Sequence, residues 1–279
     1  MLTLVQIELY KIFKKWRTYI GFIAIGVLVL VIQIAFKYEG QDTINYFTRN
    51  IRQSFVFVGN LLNGYLVAYL IMNSLAIHIP FLITLVAGDL LAGEATAGTY
   101  RMILTRPVSR TQIIFSKFIA GIIYTALLIL WLAVSSLAAG LLVFGTGELL
   151  VLNNQIIIIF EQSDILWRFL AAYGFAALCM SVVTALAFLF SSMVENAIGP
   201  IISTMAVIIV FVILSALNIE FFQNIKPYLF TNYLLSWKLF FDDPVDLSEV
   251  LKAITVMLIH IIFFFSLTLF LFRRKDILS

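Results

Sequence analysis

Six long apolar runs constrain this chain more than any other feature of its sequence. They lie at about 18–36, 68–92, 113–143, 168–190, 197–218 and 250–272. A helix of roughly 20 apolar residues crosses a hydrocarbon core of about 30 Å, so each run is long enough to span a bilayer. Backbone groups in lipid must be hydrogen bonded internally, and these runs are too uniformly apolar for barrel strands. The sequence therefore predicts an all-α integral membrane protein with six transmembrane helices in a single domain, 1–279.

Composition and motifs exclude several classes of function. Hydrophobic residues make up 62% of the chain, well above the roughly half-apolar usage of soluble domains. A net charge of +3 is too small to indicate a nucleic-acid partner, and Cys179 is alone in an apolar run. The sequence contains no phosphate-binding P-loop, zinc-protease motif or nucleophile elbow. We therefore predict no catalytic residue, no metal site and no cofactor on this chain.

The distribution of basic residues predicts the orientation. If the N-terminus is cytosolic, most of the 18 Lys and Arg residues fall on the cytosolic side, which is the side that the positive-inside rule assigns to them. Both termini are then cytosolic. The segment 219–249, which mixes aromatic residues with isolated charges, is predicted to be an extracellular or re-entrant segment.

Residues 1–17 have the pattern of an amphipathic helix. Apolar residues recur at three- and four-residue spacing, namely Val5, Leu9, Ile12, Phe13 and Trp16. A basic amphipathic helix is typical of the membrane interface, although packing on another protein surface is a compatible alternative. No small-residue cleavage motif follows the next apolar run, so we expect a retained first span rather than a signal peptide.

The spans hold few polar residues. His78 and His260 each lie alone in an apolar run, and we expect both to make hydrogen bonds between helices. Asp89, near the inner end of its run, is expected to reach interfacial water. Ser136 and Gly140 in the third run have the four-residue spacing of a helix contact face. Because no span carries an acid in its middle, ion-coupled transport is not expected, and the energy source is predicted to lie on another polypeptide.

The connector between the second and third runs, 94–108, is short and basic. Gly98 is expected to interrupt the helix that descends from the second span, and Thr99 to begin a new helix of roughly two turns. Pro107 then stops that helix, because the residue before a proline disfavours helical geometry. From the residues alone, a force-transmitting helix and an ordinary basic loop that only sets topology remain equally supported.

Two spacings predict helix caps at the cytosolic turns. Ser109 and Gln112 have the spacing of a capping box at the start of the third span. Ser192 and Glu195 repeat this spacing before the fifth span. The second pair predicts that the fourth and fifth spans form a tight antiparallel hairpin.

The connector also resembles a known family. The residues that carry the resemblance are Glu94, Gly98, Thr99, Arg101, Leu104, Arg106, Pro107, Val108, Ser109, Arg110 and Lys117. Their pattern looks like the signature of ABC type 2 exporter permeases, the transmembrane subunits of ATP-binding cassette transporters. The six-span pattern over the whole chain is similar to that family as well.

The resemblance implies a function and a set of contacts. The connector would be a coupling helix that docks on a separate ABC ATPase subunit, through Glu94, Gly98, Thr99, Tyr100, Arg101, Leu104, Arg106, Pro107 and Arg110. ATP and magnesium would bind that ATPase, and a second permease copy, identical or paralogous, would complete the exporter. The expected location is the bacterial cytoplasmic (inner) membrane, as a multi-pass protein. The alternative is a membrane scaffold or sensor that recruits a soluble ATPase through the same connector without transport.

Overall fold

One helix, buried along most of its length, organises the fold. The computed structural model describes residues 1–49, 61–98, 108–153, 156–217 and 219–274. The helices are α1 (Leu2–Lys14), α2 (Trp16–Thr48), α3 (Gly64–Leu75), α4 (His78–Ala87), α5 (Asp89–Thr96), α6 (Arg110–Ala133), α7 (Ala139–Phe144), α8 (Gln162–Met193), α9 (Ile198–Ala216), α10 (Glu220–Ile225) and α11 (Leu247–Arg274). The central helix is α8, which packs against α4, α6, α9 and α11.

Five of the described helices are long and apolar enough to cross a membrane. They are α2, the continuous unit Arg110–Phe144, α8, α9 and α11. The pair α3 and α4, bent by 59°, makes a sixth if it is counted as one span. This confirms a predominantly helical, multi-pass membrane protein.

The predicted second span is broken into three helices. Pro80 lacks the N–H group that would bond the carbonyl of Ala76, and its ring would clash there, so a straight helix cannot continue through this point. Instead α3 ends at Leu75 and α4 begins at His78, with Pro80 in its first turn, where a missing N–H is tolerated. A single residue, Gly88, separates α4 from α5.

The third span contains a π-helical turn. Val134–Ala138 joins α6 to α7, so the unit is continuous over the 35 residues Arg110–Phe144. The Ser136 hydroxyl bonds the carbonyl of Leu132 and lies 2.7 Å from the hydroxyl of Tyr173 in α8. The widened turn therefore places a buried polar contact between the third and fourth spans.

The described chain is predominantly helical, as predicted, and one short hairpin interrupts the helices. Strand β1 (Leu149–Asn153) pairs with antiparallel strand β2 (Ile156–Phe160), with Leu149 opposite Phe160. The four consecutive isoleucines of β2 favour an extended backbone because their branched side chains are restricted in a helix.

The segment between α9 and α11 is irregular. It contains α10 and three 3₁₀ turns, Lys226–Tyr228, Phe230–Tyr233 and Ser236–Phe241. Phe230, Tyr233, Trp237 and Phe241 are buried against the core. The segment predicted over 219–249 is therefore a packed cap on the helices.

One of the two predicted caps is wrong. Ser109 and Gln112 form the reciprocal capping box at the start of α6. Ser192, in contrast, lies inside α8 and donates to the carbonyl of Leu189, and the first amide of α9, that of Ile198, donates to Asn196 Oδ1 at 3.0 Å. The reason is that α8 continues to Met193, so Ser192 cannot lie before the first turn of the next helix. Only four residues separate α8 from α9, as the tight hairpin requires.

Close backbone contact joins α3 to α7. A Cβ atom added at Gly64 would lie 2.5 Å from the amide nitrogen and 2.6 Å from the Cα of Leu141. Gly140, from the predicted small-residue face, lies directly beside Gly64. Asn63 holds this junction by accepting hydrogen bonds from the amides of Tyr65 and Leu66 and donating to the carbonyl of Glu148.

We expect Gly64→Ala to lower the free energy of unfolding by about 3 kcal/mol, because the new methyl group meets backbone that cannot rotate away. Gly174→Ala is the matched control. Its Cβ would meet nothing within 4 Å, and alanine favours a helix by up to about 1 kcal/mol. Denaturant titration of both variants in micelles measures the difference. Equal stability of the two variants would contradict the close contact.

Candidate functional site

The connector begins at the end of α5. Gly98 adopts a left-handed conformation with φ of +65°, and its amide donates to the carbonyl of Ala95 at 3.0 Å. A residue with a side chain is strained in this conformation, so glycine is well suited to end the helix there. The predicted contact residues Thr99, Tyr100, Arg101, Leu104, Arg106 and Pro107 lie outside the described residues.

Glu94, in the last turns of α5, belongs to a cluster of buried charges. We call Glu8, Lys11, Glu94 and Lys117 the charge cluster. The Lys117 ammonium lies 2.7 Å from Glu8 Oε2 and 2.9 Å from Glu94 Oε1. Lys11 lies 2.9 Å from Glu8 Oε1 and 3.0 Å from Glu94 Oε1. The four side chains thus join α1, α5 and α6.

The charge cluster is electrically balanced. Two cations face two carboxylates, and the Lys117 side chain is only 2% exposed. A buried cation is strongly unfavourable without such partners, because it loses its hydration. Burial lowers the pKa of Lys11, but the hydrogen bonds and charges of Glu8 and Glu94 outweigh it and raise the pKa overall. Lys11 is therefore charged at neutral pH.

Asp89 makes a second set of ion pairs beside the charge cluster. Its carboxylate lies 2.6 Å from the Lys15 ammonium and 3.2 Å from a guanidinium nitrogen of Arg17. The prediction that Asp89 reaches interfacial water is wrong, since the residue is 7% exposed and its oxygens bind these cations. As the first residue of α5, Asp89 also lies where a helix dipole favours negative charge.

Hydrogen bonds from the fourth span hold α5 from the other side. The Ser191 hydroxyl accepts from the amides of Leu91 and Ala92 at 3.0 and 2.9 Å and donates to the carbonyl of Gly88. These amides belong to the first turn of α5, where no helical partner exists. At its other end, Thr96 donates to the carbonyl of Glu195 at 2.7 Å. The connector therefore starts from a helix fixed on two sides.

Arg110 begins the other side of the connector. Its guanidinium donates to the carbonyl of Arg273 at 3.3 Å, which links the start of α6 to the end of α11. Among the described contact residues, Glu94 and Arg110 are both partly buried, and Glu94 belongs to the charge cluster. The structure does not bring these two side chains into one contact.

The break between α3 and α4 exposes polar groups in the second span. Asn73, Ser74 and His78 are exposed around it, and Ile77 is 78% exposed. The prediction that the histidines bond between helices is wrong for His260, whose Nδ1 lies 2.8 Å from the carbonyl of Val256 in the same helix, α11. His78 Nδ1 lies 3.1 Å from the carbonyl of Ser74, so this contact joins the start of α4 to the end of α3 across the break.

At the opposite end of the bundle, Arg168 organises the packed cap. Its side chain is 6% exposed and bonds Asp164 Oδ2 at 2.7 Å. It also donates to the carbonyls of Phe240 and Asp242 at 3.0 and 2.8 Å, and its guanidinium lies 4.2 Å from the centre of the Phe160 ring. One arginine thus joins α8, β2 and the last 3₁₀ turn.

Sequence spacing identifies some of these contacts and not others. Arg168 and Asp164 are four residues apart on one helix, a spacing that predicts an ion pair. Glu8 and Lys117 are 109 residues apart, so no local rule relates them. The sequence offered one indication of this contact. Glu8 and Lys117 are charged residues that each lie among apolar residues of a helix, on a face that packs inside the protein.

No metal centre is found within the described ranges, since no three of their His, Cys, Asp and Glu side chains come together. Cys179 is buried and forms no disulfide.

The comparisons with known proteins give one family and one relative. A family model described as "Protein of unknown function (DUF2705)" matches residues 18–278. The chain is also 29% identical over 203 residues to "Uncharacterized protein YhcI" of Bacillus subtilis (strain 168). That match covers 69% of this chain and 63% of the relative. The family match extends over nearly the whole chain, and the chain therefore belongs to the DUF2705 family.

Proposed function

We propose that this chain is the transmembrane permease subunit of an ABC exporter, coupled to a separate ATPase. The observation that carries the proposal is the broken second span, which continues through α5 directly into the basic connector. One short stretch of chain thus links an interrupted membrane helix to a cytosolic segment. The connector's resemblance to ABC type 2 permeases adds the identity of the partner.

The charge cluster supports coupling rather than simple docking. Force applied to the connector reaches α5, and the ion pairs of Glu94 transmit it to α1 and α6. The Ser191 hydroxyl connects the same helix to α8. The second span is bent by 59° between α3 and α4, where small backbone rotations produce large displacements. Movement of the connector would then change the bend at the break.

The break also favours transport over the scaffold alternative. Interrupted helices in membranes expose backbone and polar groups, and they are tolerated where they line a cavity or contact protein. Here the exposed groups are Asn73, Ser74 and His78. A scaffold that only holds an ATPase has no need for this costly feature in the hydrocarbon region.

The orientation in the membrane is inferred from the basic residues, and the second permease copy from the exposed apolar surface. The basic residues of the connector support a cytosolic position for the connector and for both termini. The resemblance to ABC type 2 permeases supports the bacterial inner membrane as the location. A second permease copy would cover apolar surface of one or more poorly buried spans. ATP and magnesium would bind the partner ATPase, which drives export of a substrate.

The test is co-expression with an ABC ATPase encoded beside this chain. We expect Arg101→Glu to reduce co-purification of the ATPase about tenfold, because reversing a charge at a docking surface costs about 1.4 kcal/mol or more. Lys252→Glu, at the start of α11, is the control for charge reversal. Membrane insertion of both variants is verified by carbonate extraction.

Two results would count against the proposal. Wild-type co-purification and ATPase stimulation by Arg101→Glu would remove the connector from the interface. An ATPase that binds this chain but hydrolyses ATP at the same rate in its absence would favour the scaffold alternative.

A further inference from the structure

A cleft lies beside the charge cluster, at the end of the bundle where the connector begins. Its volume is about 300 Å³, and it is lined by residues of α1, the start of α2, the end of α4 and α5. One wall is apolar and consists of Ile12, Leu85, Val86 and Leu90. The rim carries Lys14, Lys15 and Arg17.

The charges that line the cleft are not balanced as a whole. The charge cluster itself is neutral, because two lysines face two glutamates. Asp89, however, is a single carboxylate that faces two cations, Lys15 and Arg17. Lys14 also lines the cleft and is exposed, and it makes no ion pair within the described ranges. The rim therefore carries an excess of two positive charges.

The cations of the rim have hydrogen-bonding capacity left over. Lys15 and Arg17 each contact Asp89 through one nitrogen, and their side chains are 49% and 54% exposed. An ammonium has three donors and a guanidinium has five, so several donors remain for a ligand. A phosphate group, with charge and several acceptor oxygens, matches such a set.

The position of the cleft points to the lipid headgroup region. Trp16, which follows Lys15 directly, is 71% exposed, and Tyr19 is 42% exposed. Tryptophan and tyrosine side chains concentrate at headgroup depth because one end is apolar and the other is polar. The apolar wall continues from this depth toward α4 within the bundle.

We propose that the cleft binds the phosphate of an anionic membrane amphiphile, with its first methylene groups on the apolar wall. Lys14, Lys15 and Arg17 bind the phosphate, and Ile12, Val86 and Leu90 contact the hydrocarbon chain of the ligand. Such a ligand neutralises the excess charge and fills the cleft beside α1 and α5. The inference does not depend on transport, since a lipid at this site would also stabilise a scaffold.

The test is native mass spectrometry of the purified full chain titrated with phosphatidylglycerol or with phosphatidylcholine. We expect tight binding of one phosphatidylglycerol and at least tenfold weaker binding of phosphatidylcholine, whose headgroup has no net charge. Lys14→Gln should weaken phosphatidylglycerol binding about fivefold, the usual effect of one basic residue near an anionic surface. Lys252→Gln, remote from the cleft, should leave it unchanged.

A second variant is expected to strengthen phosphatidylglycerol binding, opposite to the effect of Lys14→Gln. Asp89→Asn removes the carboxylate that competes for Lys15 and Arg17, so it should strengthen phosphatidylglycerol binding about fivefold. General structural damage would weaken binding instead, so this direction separates the two explanations. If Asp89→Asn fails to fold, the comparison of Lys14→Gln with Lys252→Gln still tests whether the basic rim binds the lipid.

The outcomes separate the possible phosphate sources. If excess inorganic phosphate displaces phosphatidylglycerol completely, the site binds a free phosphate and the apolar wall contributes nothing. If phosphatidylglycerol stays bound, the amphiphile is the ligand. Equal affinity for the two lipids would overturn the proposal. Equal affinity of Lys14→Gln and Lys252→Gln for phosphatidylglycerol would overturn it as well.

Discussion

Lys117→Met is expected to lower the free energy of unfolding by about 3 to 5 kcal/mol. Removing one partner from a buried set of charges leaves the others without compensation. Here Glu8 and Glu94 would both remain, and only Lys11 would face them. Methionine fills a similar volume, so the loss reports the charge and not a cavity. Denaturant titration in micelles measures it.

Two comparisons make this prediction specific. Lys252→Met removes an exposed pair with Glu249 at 3.4 Å, and such pairs contribute about 1 kcal/mol or less. The double variant Lys117→Met with Glu94→Gln restores the balance of one cation and one carboxylate, so it should recover part of the lost stability. Equal losses for Lys117→Met and Lys252→Met would show that the charge cluster contributes little.

The same variant tests the mechanical part of the proposed function. If the charge cluster transmits motion from α5 to α1 and α6, a folded Lys117→Met protein should still bind the ATPase but stimulate it less. Arg101→Glu should instead lose binding. The two variants therefore separate docking from transmission.

The approximate positions of the long apolar helices were predictable because apolar length is a local property. Each predicted run overlaps a long apolar helix or, in the second case, a bent pair. The break between α3 and α4 was harder to predict. Pro80 indicated a kink, but whether a proline bends a helix or divides it depends on the surrounding packing. The strands were hidden for another reason: periodicity alone does not distinguish a short apolar run such as 156–159 from a segment of a buried helix.

The candidate site was only partly predictable for a different reason. Contact of Glu94 with a partner stays a prediction, and the ion pairs of its carboxylate with Lys11 and Lys117 were not predicted. Charges within four residues are readable from helix geometry, but Glu8, Asp89 and Lys117 meet cations or carboxylates on other helices. The charged residues can be read from the sequence, but their ion-pair partners depend on how the helices pack.

Arg168→Met is expected to destabilise the opposite end of the bundle by about 3 kcal/mol. The substitution removes a bond to Asp164 and leaves the carbonyls of Phe240 and Asp242 without their charged donor. A hydrogen bond to a charged group contributes about 1.5 to 3 kcal/mol, and unpaired buried groups add their own cost. Methionine retains the apolar contact with Phe160, so packing alone changes little.

The effect of Arg168→Met should be local as well as large. Amide hydrogen exchange is expected to increase in residues 230–243, which the guanidinium holds against α8, and to stay unchanged in α6. Arg168→Lys is the matched control, because one ammonium keeps the charge but lacks the planar fork that reaches both carbonyls. It should recover less than half of the lost stability. Full recovery by lysine would show that charge alone holds the cap, and unchanged exchange in 230–243 would show that Arg168 does not hold it at all.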